Sequence, residues 1–165
     1  MIAEHGNLRV VELELTKDKP KVLWECVKHY PTLFSDLTRG SEENFAALLA
    51  DPNSFWLELQ DDKGTMKGII YLTNLQWTFD ADAHIVIFDR ELADKVQVCK
   101  QVIEWLFINF PLNRLTASIP AIYFATIRFA KRLGFKEEGI KRKVYLIGKR
   151  WVDEQILGIL RAEIL

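Results

Sequence analysis

The chain has 165 residues, of which 49% are hydrophobic and 27% charged, a composition typical of an ordinary one-domain globular protein. Its formal net charge of -1 argues against a nucleic-acid binder that neutralises phosphates, and no apolar run approaches the length of a membrane span. The cysteines and histidines show no metal-ligand spacing, so we expect no metal site; they are Cys26, Cys99, His5, His29 and His84. Both thiols lie on predicted helix faces and no signal pattern is present, which predicts a cytoplasmic location.

The first half of the chain predicts a strand, two helices and a hairpin. Asp18 and Pro20 are suitable residues to open a helix, and Ser41 is a suitable N-cap for the next one. The turn sequence at residues 61–64 separates two apolar runs, which indicates an antiparallel hairpin. The predicted elements are a strand at 8–15, helices at 18–29 and 41–50, and strands at 55–60 and 68–72.

The second half predicts alternating strands and helices. A continuous apolar run at residues 85–87 is typical of a buried strand, and residues 115–119 alternate with period two. Pro120 suits the first turn of a helix, and Gly134 suits its left-handed C-terminal cap. One side of that helix is predicted to be apolar and to carry Ile122, Ala125, Thr126, Phe129, Ala130 and Leu133. The predicted elements are a strand at 83–88, a helix at 94–109, a strand at 115–119, a helix from 120 to 133 and two final strands.

This order of elements predicts the fold class. Antiparallel strands in succession, with helical crossovers only in the second half, favour a mixed α/β architecture in which helices cover a sheet. We therefore expect a mostly antiparallel, twisted central sheet of about seven strands flanked by about four helices. Repeats, low-complexity tracts and linkers are absent from the sequence, so residues 1–165 are predicted to form a single domain.

The last third of the chain resembles the GNAT family, the acyl-CoA-dependent N-acetyltransferases. Many members have a helix that ends in Lys/Arg-Leu-Gly-Phe, followed by Glu-Gly, an Arg and a hairpin with Gly and Asp. The corresponding residues here are Arg132, Leu133, Gly134, Phe135, Glu138, Gly139, Arg142, Gly148 and Asp153. The predicted element order also resembles that of the family. The resemblance implies a GNAT-like fold, with an opening between the two central strands that has room for pantetheine.

The resemblance further implies that acetyl-CoA, or another acyl-CoA, is the cofactor. In the family, the loop before the helix near Asp94 carries Gln/Arg-x-x-Gly-x-Gly/Ala, and the diphosphate lies on amides at the start of that helix. The residues implied to hold the thioester and the diphosphate are Ile85, Val86, Ile87, Leu92, Ala93, Asp94, Lys95 and Val96. Counting back from Phe107 places Glu91 at the position of the first glycine. Repulsion between its carboxylate and one charge of the diphosphate would cost about 1 kcal/mol. The alternative is a charged helix start that binds no cofactor.

Two residues after Pro120 are implied to take part in catalysis. Tyr123 stands where many members have an Asn, Thr126 replaces a Ser, and Ala130 replaces the general-acid Tyr. Tyr123 or Thr126 could protonate the leaving thiolate. The alternatives are that Thr126 bonds its own helix backbone and that Tyr123 is a packed aromatic residue.

Acetylation of an amine also requires removal of a proton from its ammonium form. Asp80, Asp82 and His84 precede or enter the apolar run, and their alternation puts all three on one side of an extended segment. Asp82 and His84 are therefore candidates for this role. A solvated turn at residues 80–82, and a core or edge histidine, are the alternatives.

Two functions remain open from the sequence. The first is N-acyl transfer from acetyl-CoA to an amine, carried by a small molecule or a protein, through direct attack. The second is a catalytically lapsed protein of the same fold, of the kind some bacteriophages encode, that serves as a binding or structural component. Trp56, Trp77 and Phe79 fall in or near the segment that would face the acceptor, and we expect most of them in the core and the remainder available to a partner surface. The apolar segment 155–160 is predicted to be covered by helices or shared with another subunit, which allows a homodimer or a protein partner. We expect neither nucleic acid nor membrane as a partner.

Overall fold

The structure, a computed structural model, describes residues 1–30, 41–75, 79–89 and 92–165. In these ranges the strands are β1 (Ala3–His5), β2 (Leu8–Glu12), β3 (Phe55–Asp61), β4 (Met66–Thr73), β5 (Asp82–Ile87), β6 (Arg114–Pro120), β7 (Lys136–Ile147) and β8 (Arg150–Leu160). The α-helices are α1 (Lys19–Val27), α2 (Glu42–Leu49), α3 (Lys95–Asn109) and α4 (Phe124–Leu133), and a short 3-10 helix spans Arg161–Glu163.

All eight strands form one sheet in the order β1-β2-β3-β4-β5-β6-β8-β7. Neighbouring strands are antiparallel except β5 and β6, which are parallel and are connected through α3. This mixed sheet with four helices confirms the predicted fold class. The strand that the sequence analysis missed is β1, which is short and pairs with β2 through a tight turn at Gly6 (φ 58°).

The helices cover the sheet in two pairs, which define its two faces. On the back face, α3 and α4 pack on a large apolar core that includes Leu57, Phe107 and Leu157. On the front face, α1 and α2 pack on a smaller core with Trp56 and Tyr71 at its centre. The helices follow their apolar stripes, as the sequence predicted for α1, α2 and α3.

The predicted start of α4 was wrong. Pro120 is the last residue of β6, where it pairs with Glu154, and the helix begins only at Phe124. Its buried side also differs from the prediction: Ala130 and Leu133 are buried, but Ala125 and Thr126, and Ile122 before the helix, are exposed. The sheet pairing of β6 with β8 extends the strand over a proline that the local sequence assigns equally well to a helix start.

Helix ends that depend on local chemistry were predicted correctly. The side chain of Ser41 accepts a hydrogen bond from the N–H of Asn44, as an N-cap does. Gly134 adopts φ 111° at the end of α4, and the buried Phe135 follows it. The first long strand ends earlier than predicted, at Glu12, and Leu15, which was expected within it, is exposed.

Candidate active site

The sheet opens between β5 and β6. Pairing between these two strands is limited to Asp82 with Thr116, near the beginning of both. The outer edge of each strand is paired along its length, β5 with β4 and β6 with β8. The strands therefore diverge toward their carboxyl ends and leave a central gap, as the resemblance implied. In open sheets, ligands commonly bind in such a crevice at the carboxyl ends of parallel strands.

Backbone groups of β5 line this gap. The N–H of Phe88 donates to the carbonyl of Lys67, so alternate residues of β5 turn their backbone groups toward β4. Ile85 and Ile87 have the opposite parity and turn theirs toward the gap. Their side chains pack on the back-face core. Of the predicted thioester residues, Ile85 and Ile87 thus border the gap by their backbone, whereas buried Val86 lies in the front-face core.

The amino end of α3 lies beyond the open end of the gap, because the helix follows β5. Its first internal hydrogen bonds run from the N–H groups of Gln97 and Val98 to the carbonyl of Asp94. The helix offers no internal acceptor for N–H groups of its first turn. Of the predicted diphosphate residues, Lys95 and Val96 occupy this turn, while the N–H of Leu92 donates to the carbonyl of Asp89 at 3.4 Å.

Asp94 adopts the left-handed conformation (φ 60°) immediately before α3 and forms no side-chain cap. Its carboxylate points to the β1–β2 turn, where its Oδ1 lies 3.9 Å from Nε2 of His5. A Cβ atom on Gly6 would lie 2.4 Å from Asp94 Oδ2. The β1–β2 turn thus approaches the Asp94 carboxylate so closely that residue 6 must be glycine.

The predicted catalytic residues do not form one cluster. Tyr123 is the half-buried N-cap residue of α4, and Thr126 is exposed on the helix, so both lie near the open end of the gap. Asp82 and His84 lie at or near the closed end, on the front face. The open end at Pro120 is about 13 Å along β6 from Thr116, which pairs with Asp82. Ala130 is buried in the back-face core.

A polar network holds the closed end of the gap. Thr116 donates its hydroxyl to Asp80 at 3.1 Å, and Arg114 lies 3.6 Å from the same carboxylate. Arg114 also donates to Glu138 at 2.6 Å, which raises the pKa of the guanidinium. Asp82 accepts a hydrogen bond from Asn74 at 2.6 Å, and no Lys or Arg nitrogen in the described ranges lies within 4 Å of it.

His84 belongs to a column of stacked rings on the front face. Its ring lies 4.5 Å from that of Tyr71, which in turn lies 4.1 Å from Trp56, with interplanar angles of 10° and 6°. Nε2 of His84 forms a 2.9 Å hydrogen bond with the hydroxyl of Thr73. Burial lowers the pKa of His84 to about 4, so the ring is neutral at neutral pH.

Desolvation of the half-buried His84 ring predicts a pH-dependent contribution to stability. Because the pKa of His84 is lower in the folded chain than its ordinary value of about 6.5, the neutral form is favoured by folding. The contribution is complete above pH ~6.5 and is lost as the pH falls toward 4, by at most about 3 kcal/mol. We expect the difference in unfolding free energy between the wild type and His84→Gln, measured in urea, to shrink over this range. A difference that stays constant would contradict the desolvation of this imidazole.

Several predictions fall outside the described residues, namely those on Arg90, Glu91 and Trp77. Of the other two aromatic residues near the acceptor segment, Trp56 is buried and Phe79 is exposed. In the apolar segment 155–160, Leu157 and Ile159 are buried by the back-face core, and Leu160 is exposed.

Sequence reasoning missed Glu154, a carboxylate on β8 with only 5% exposure. Its alternation with Ile156 and Gly158 could have placed it on the front face, but nothing local indicates that it is buried. Within the described ranges no group of His, Cys, Asp and Glu side chains could hold a metal ion. Nor does any helix there have the length and apolar character needed to cross a membrane.

Comparison with known proteins identifies the family. The model of the acetyltransferase (GNAT) domain matches residues 37–156. The chain belongs to this family, and its splayed central strands fit that assignment. Comparison with curated protein sequences gives no match.

Solved structures share the fold at low sequence identity. A chimera of spermidine N-acetyltransferase from Vibrio cholerae and hSSAT has a TM-score of 0.80 at 15% identity, over 96% of this chain and 98% of that one. The Vibrio cholerae spermidine N-acetyltransferase in complex with CoA and spermine has a TM-score of 0.77 at 16% identity, over 96% and 98%. A dodecameric structure of the enzyme from Vibrio cholerae also scores 0.77 at 16% identity, over 96% of each chain.

Proposed function

We propose that this chain is an acyl-CoA-dependent N-acyltransferase that transfers an acetyl group from acetyl-CoA to an amine by direct attack. The observation that carries the proposal is the gap between β5 and β6, with the amino end of α3 at its open end. Backbone groups of Ile85 and Ile87 face a gap in which an amide-bearing pantetheine arm can hydrogen-bond. The positive end of the α3 dipole and its first-turn amides suit a diphosphate.

The sequence also allows a second alignment of the family's loop pattern, shifted by two residues toward α3. The helix begins at Lys95 rather than at Asp94, the predicted start. Arg90, Ala93 and Lys95 have the spacing of Gln/Arg-x-x-Gly-x-Gly/Ala with an arginine at its first position. In this alignment Glu91 occupies a variable position, and Lys95 brings a positive charge to the helix start. The carboxylate of Asp94 points toward His5, which reduces its cost beside a diphosphate.

The two faces of the gap suit two different ligands. Both helices that follow β5 and β6 begin at the open end, where Leu92, Ala93, Val96 and Tyr123 would contact the cofactor. The front face carries the carboxylates Asp80, Asp82, Glu138 and Glu154, which suit a cationic acceptor. We propose an aliphatic amine or polyamine as that acceptor. The Vibrio cholerae structure with spermine shows that this fold accommodates one, although the low identity transfers no residue roles.

Acetyl-CoA would supply an activated acyl group, and the chain would supply position and charge. Asp82, which lacks a cationic partner in the described ranges, would accept a proton from the acceptor directly or through water. Neutral His84, whose Nε2 forms a hydrogen bond with the hydroxyl of Thr73, lies two residues further along the same face of β5. Tyr123 and Thr126 lie about 13 Å along β6 from the pair of Asp82 with Thr116, so we assign protonation of the leaving thiolate, which needs little help, to solvent rather than to them. Three apolar side chains exposed on the β7–β8 hairpin, Ile140, Leu146 and Trp151, support a homodimer or a protein partner.

Calorimetric titration with acetyl-CoA tests the proposal. We expect micromolar binding by the wild type, and binding about fivefold tighter by Glu91→Gln if that carboxylate faces the diphosphate. Glu104→Gln, the same change on the exposed side of α3, is the matched control and should leave affinity unchanged.

Three other results have distinct meanings. Equal affinity of the wild type and Glu91→Gln would favour the alignment through Arg90, Ala93 and Lys95. Binding only by Glu91→Gln would mean a lapsed cofactor site. No binding by either would overturn the proposed activity.

A further inference from the structure

A buried carboxylate lies one strand away from the open end of the gap, on β8. Glu154 is on β8, opposite Pro120 of β6 and Lys141 of β7, and its side chain is 6% exposed. Alternation along β8 puts it on the same face as Gly158, whose position lies against the Arg114–Glu138 pair. Glu154 therefore occupies the front face, on the acceptor side, at the level where β5 and β6 are apart.

The two oxygens of this carboxylate have different partners. Oε1 accepts a 2.6 Å hydrogen bond from the hydroxyl of Tyr145. Oε2 is buried and has no hydrogen-bond partner, although Nζ of Lys141 lies 3.2 Å away in a geometry unsuited to a hydrogen bond. Lys141 is itself 63% exposed. One oxygen is thus held by Tyr145, and among the residues that the structure describes the other has a cationic neighbour only in the exposed Lys141.

Burying a carboxylate is costly unless its hydrogen-bonding capacity is satisfied. Two other front-face carboxylates, those of Glu138 and Asp80, have Arg114 as a partner. Asp82 accepts a hydrogen bond from Asn74 and, unlike Glu154, is only half-buried. Glu154 keeps one oxygen without a directed donor, next to the gap. A donor that arrives with a ligand would complete it.

We propose that Glu154 binds an ammonium group of the acceptor amine, and that Lys141 neutralises it until the acceptor arrives. This inference rests on the proposed acetyl transfer and adds a specificity-determining residue to it. Tyr145 holds the carboxylate in orientation. The acceptor class is a protonated aliphatic amine, and Lys141 competes with it for Oε2.

The competition makes two substitutions act in opposite directions. In protein saturated with CoA, we expect Glu154→Gln to weaken the binding of 1,4-diaminobutane and spermidine by about tenfold or more, because a charge-assisted hydrogen bond is lost. Lys141→Met should tighten binding by about threefold, because the competing cation is removed. Calorimetry measures both, and kcat/KM for the same amines should follow. The affinity for acetyl-CoA should stay within about twofold in either variant.

Asp153→Asn is the matched control. It removes the same charge one residue earlier on β8, from a side chain that pairs with Lys143, and alternation puts it on the opposite face. We expect it to leave amine binding unchanged. Equal effects of Glu154→Gln and Asp153→Asn would reduce the result to general electrostatics and overturn the inference. So would weaker amine binding by Lys141→Met, or a wild type that binds acetyl-CoA but neither amine. If the wild type binds the amines but not acetyl-CoA, and only Glu154→Gln loses amine binding, the proposed transfer is overturned and the ammonium site stands.

Discussion

Gly68→Ala is expected to lower the free energy of unfolding by about 3 kcal/mol. A Cβ atom at this position of β4 would lie 2.4 Å from the carbonyl oxygen of Val86 in β5. The obstacle is a backbone atom inside the sheet, so neither strand can yield without loss of pairing. Chemical denaturation followed by tryptophan fluorescence measures the change.

Gly139→Ala is the control for this experiment, since a Cβ there has no neighbour within 4 Å. We expect the free energy of unfolding of that variant to lie within about 0.5 kcal/mol of the wild-type value. The contact also bears on function, because Val86 belongs to the strand that borders the gap. Gly68→Ala should therefore weaken acetyl-CoA binding as well. Equal free energies of unfolding for Gly68→Ala and Gly139→Ala would contradict the close approach of β4 to the backbone of β5.

Leu157→Ala is expected to cost about 4 kcal/mol. Leu157 is 0% exposed on β8 and packs in the back-face core. Truncation leaves a cavity between strands and helices that are held by sheet pairing, so the site can collapse only in part. Thermal and urea unfolding measure the loss.

The matched control is Leu160→Ala on the same strand, where the side chain is 39% exposed. There we expect a cost below about 1 kcal/mol. Similar costs at both positions would contradict the burial of Leu157 in the back-face core. The comparison also tests the segment 155–160, whose apolar residues the sequence could not assign to a face.

Family membership and activity are supported by different parts of the molecule. The family match and the overall fold depend on the sheet, the two pairs of helices and the Gly134 corner, all of which an inactive protein would share. The proposed activity depends on the gap between β5 and β6 and on the start of α3. An open gap in the middle of a paired sheet leaves backbone groups without strand partners, and a ligand that bonds them would offset that cost.

The sequence by itself determined most of the elements, because their signals are local. Period-two and helical spacing identified α1, α2, α3 and the long strands, and cap chemistry located Ser41 and Gly134. The resemblance in the last third identified the family. Short β1 was missed since three residues provide too little periodicity, and Pro120 was misassigned since a proline suits both a strand end and a helix start.

Only the tertiary structure decided the candidate site. Which strands diverge depends on pairing between residues far apart in the chain, such as Asp82 with Thr116. The low pKa of His84 and the burial of Glu154 come from neighbours on other strands, namely Tyr71 and Tyr145. Spacing along the chain records which side chains share a face, but the separation of strands and the exclusion of water arise only when the sheet is assembled.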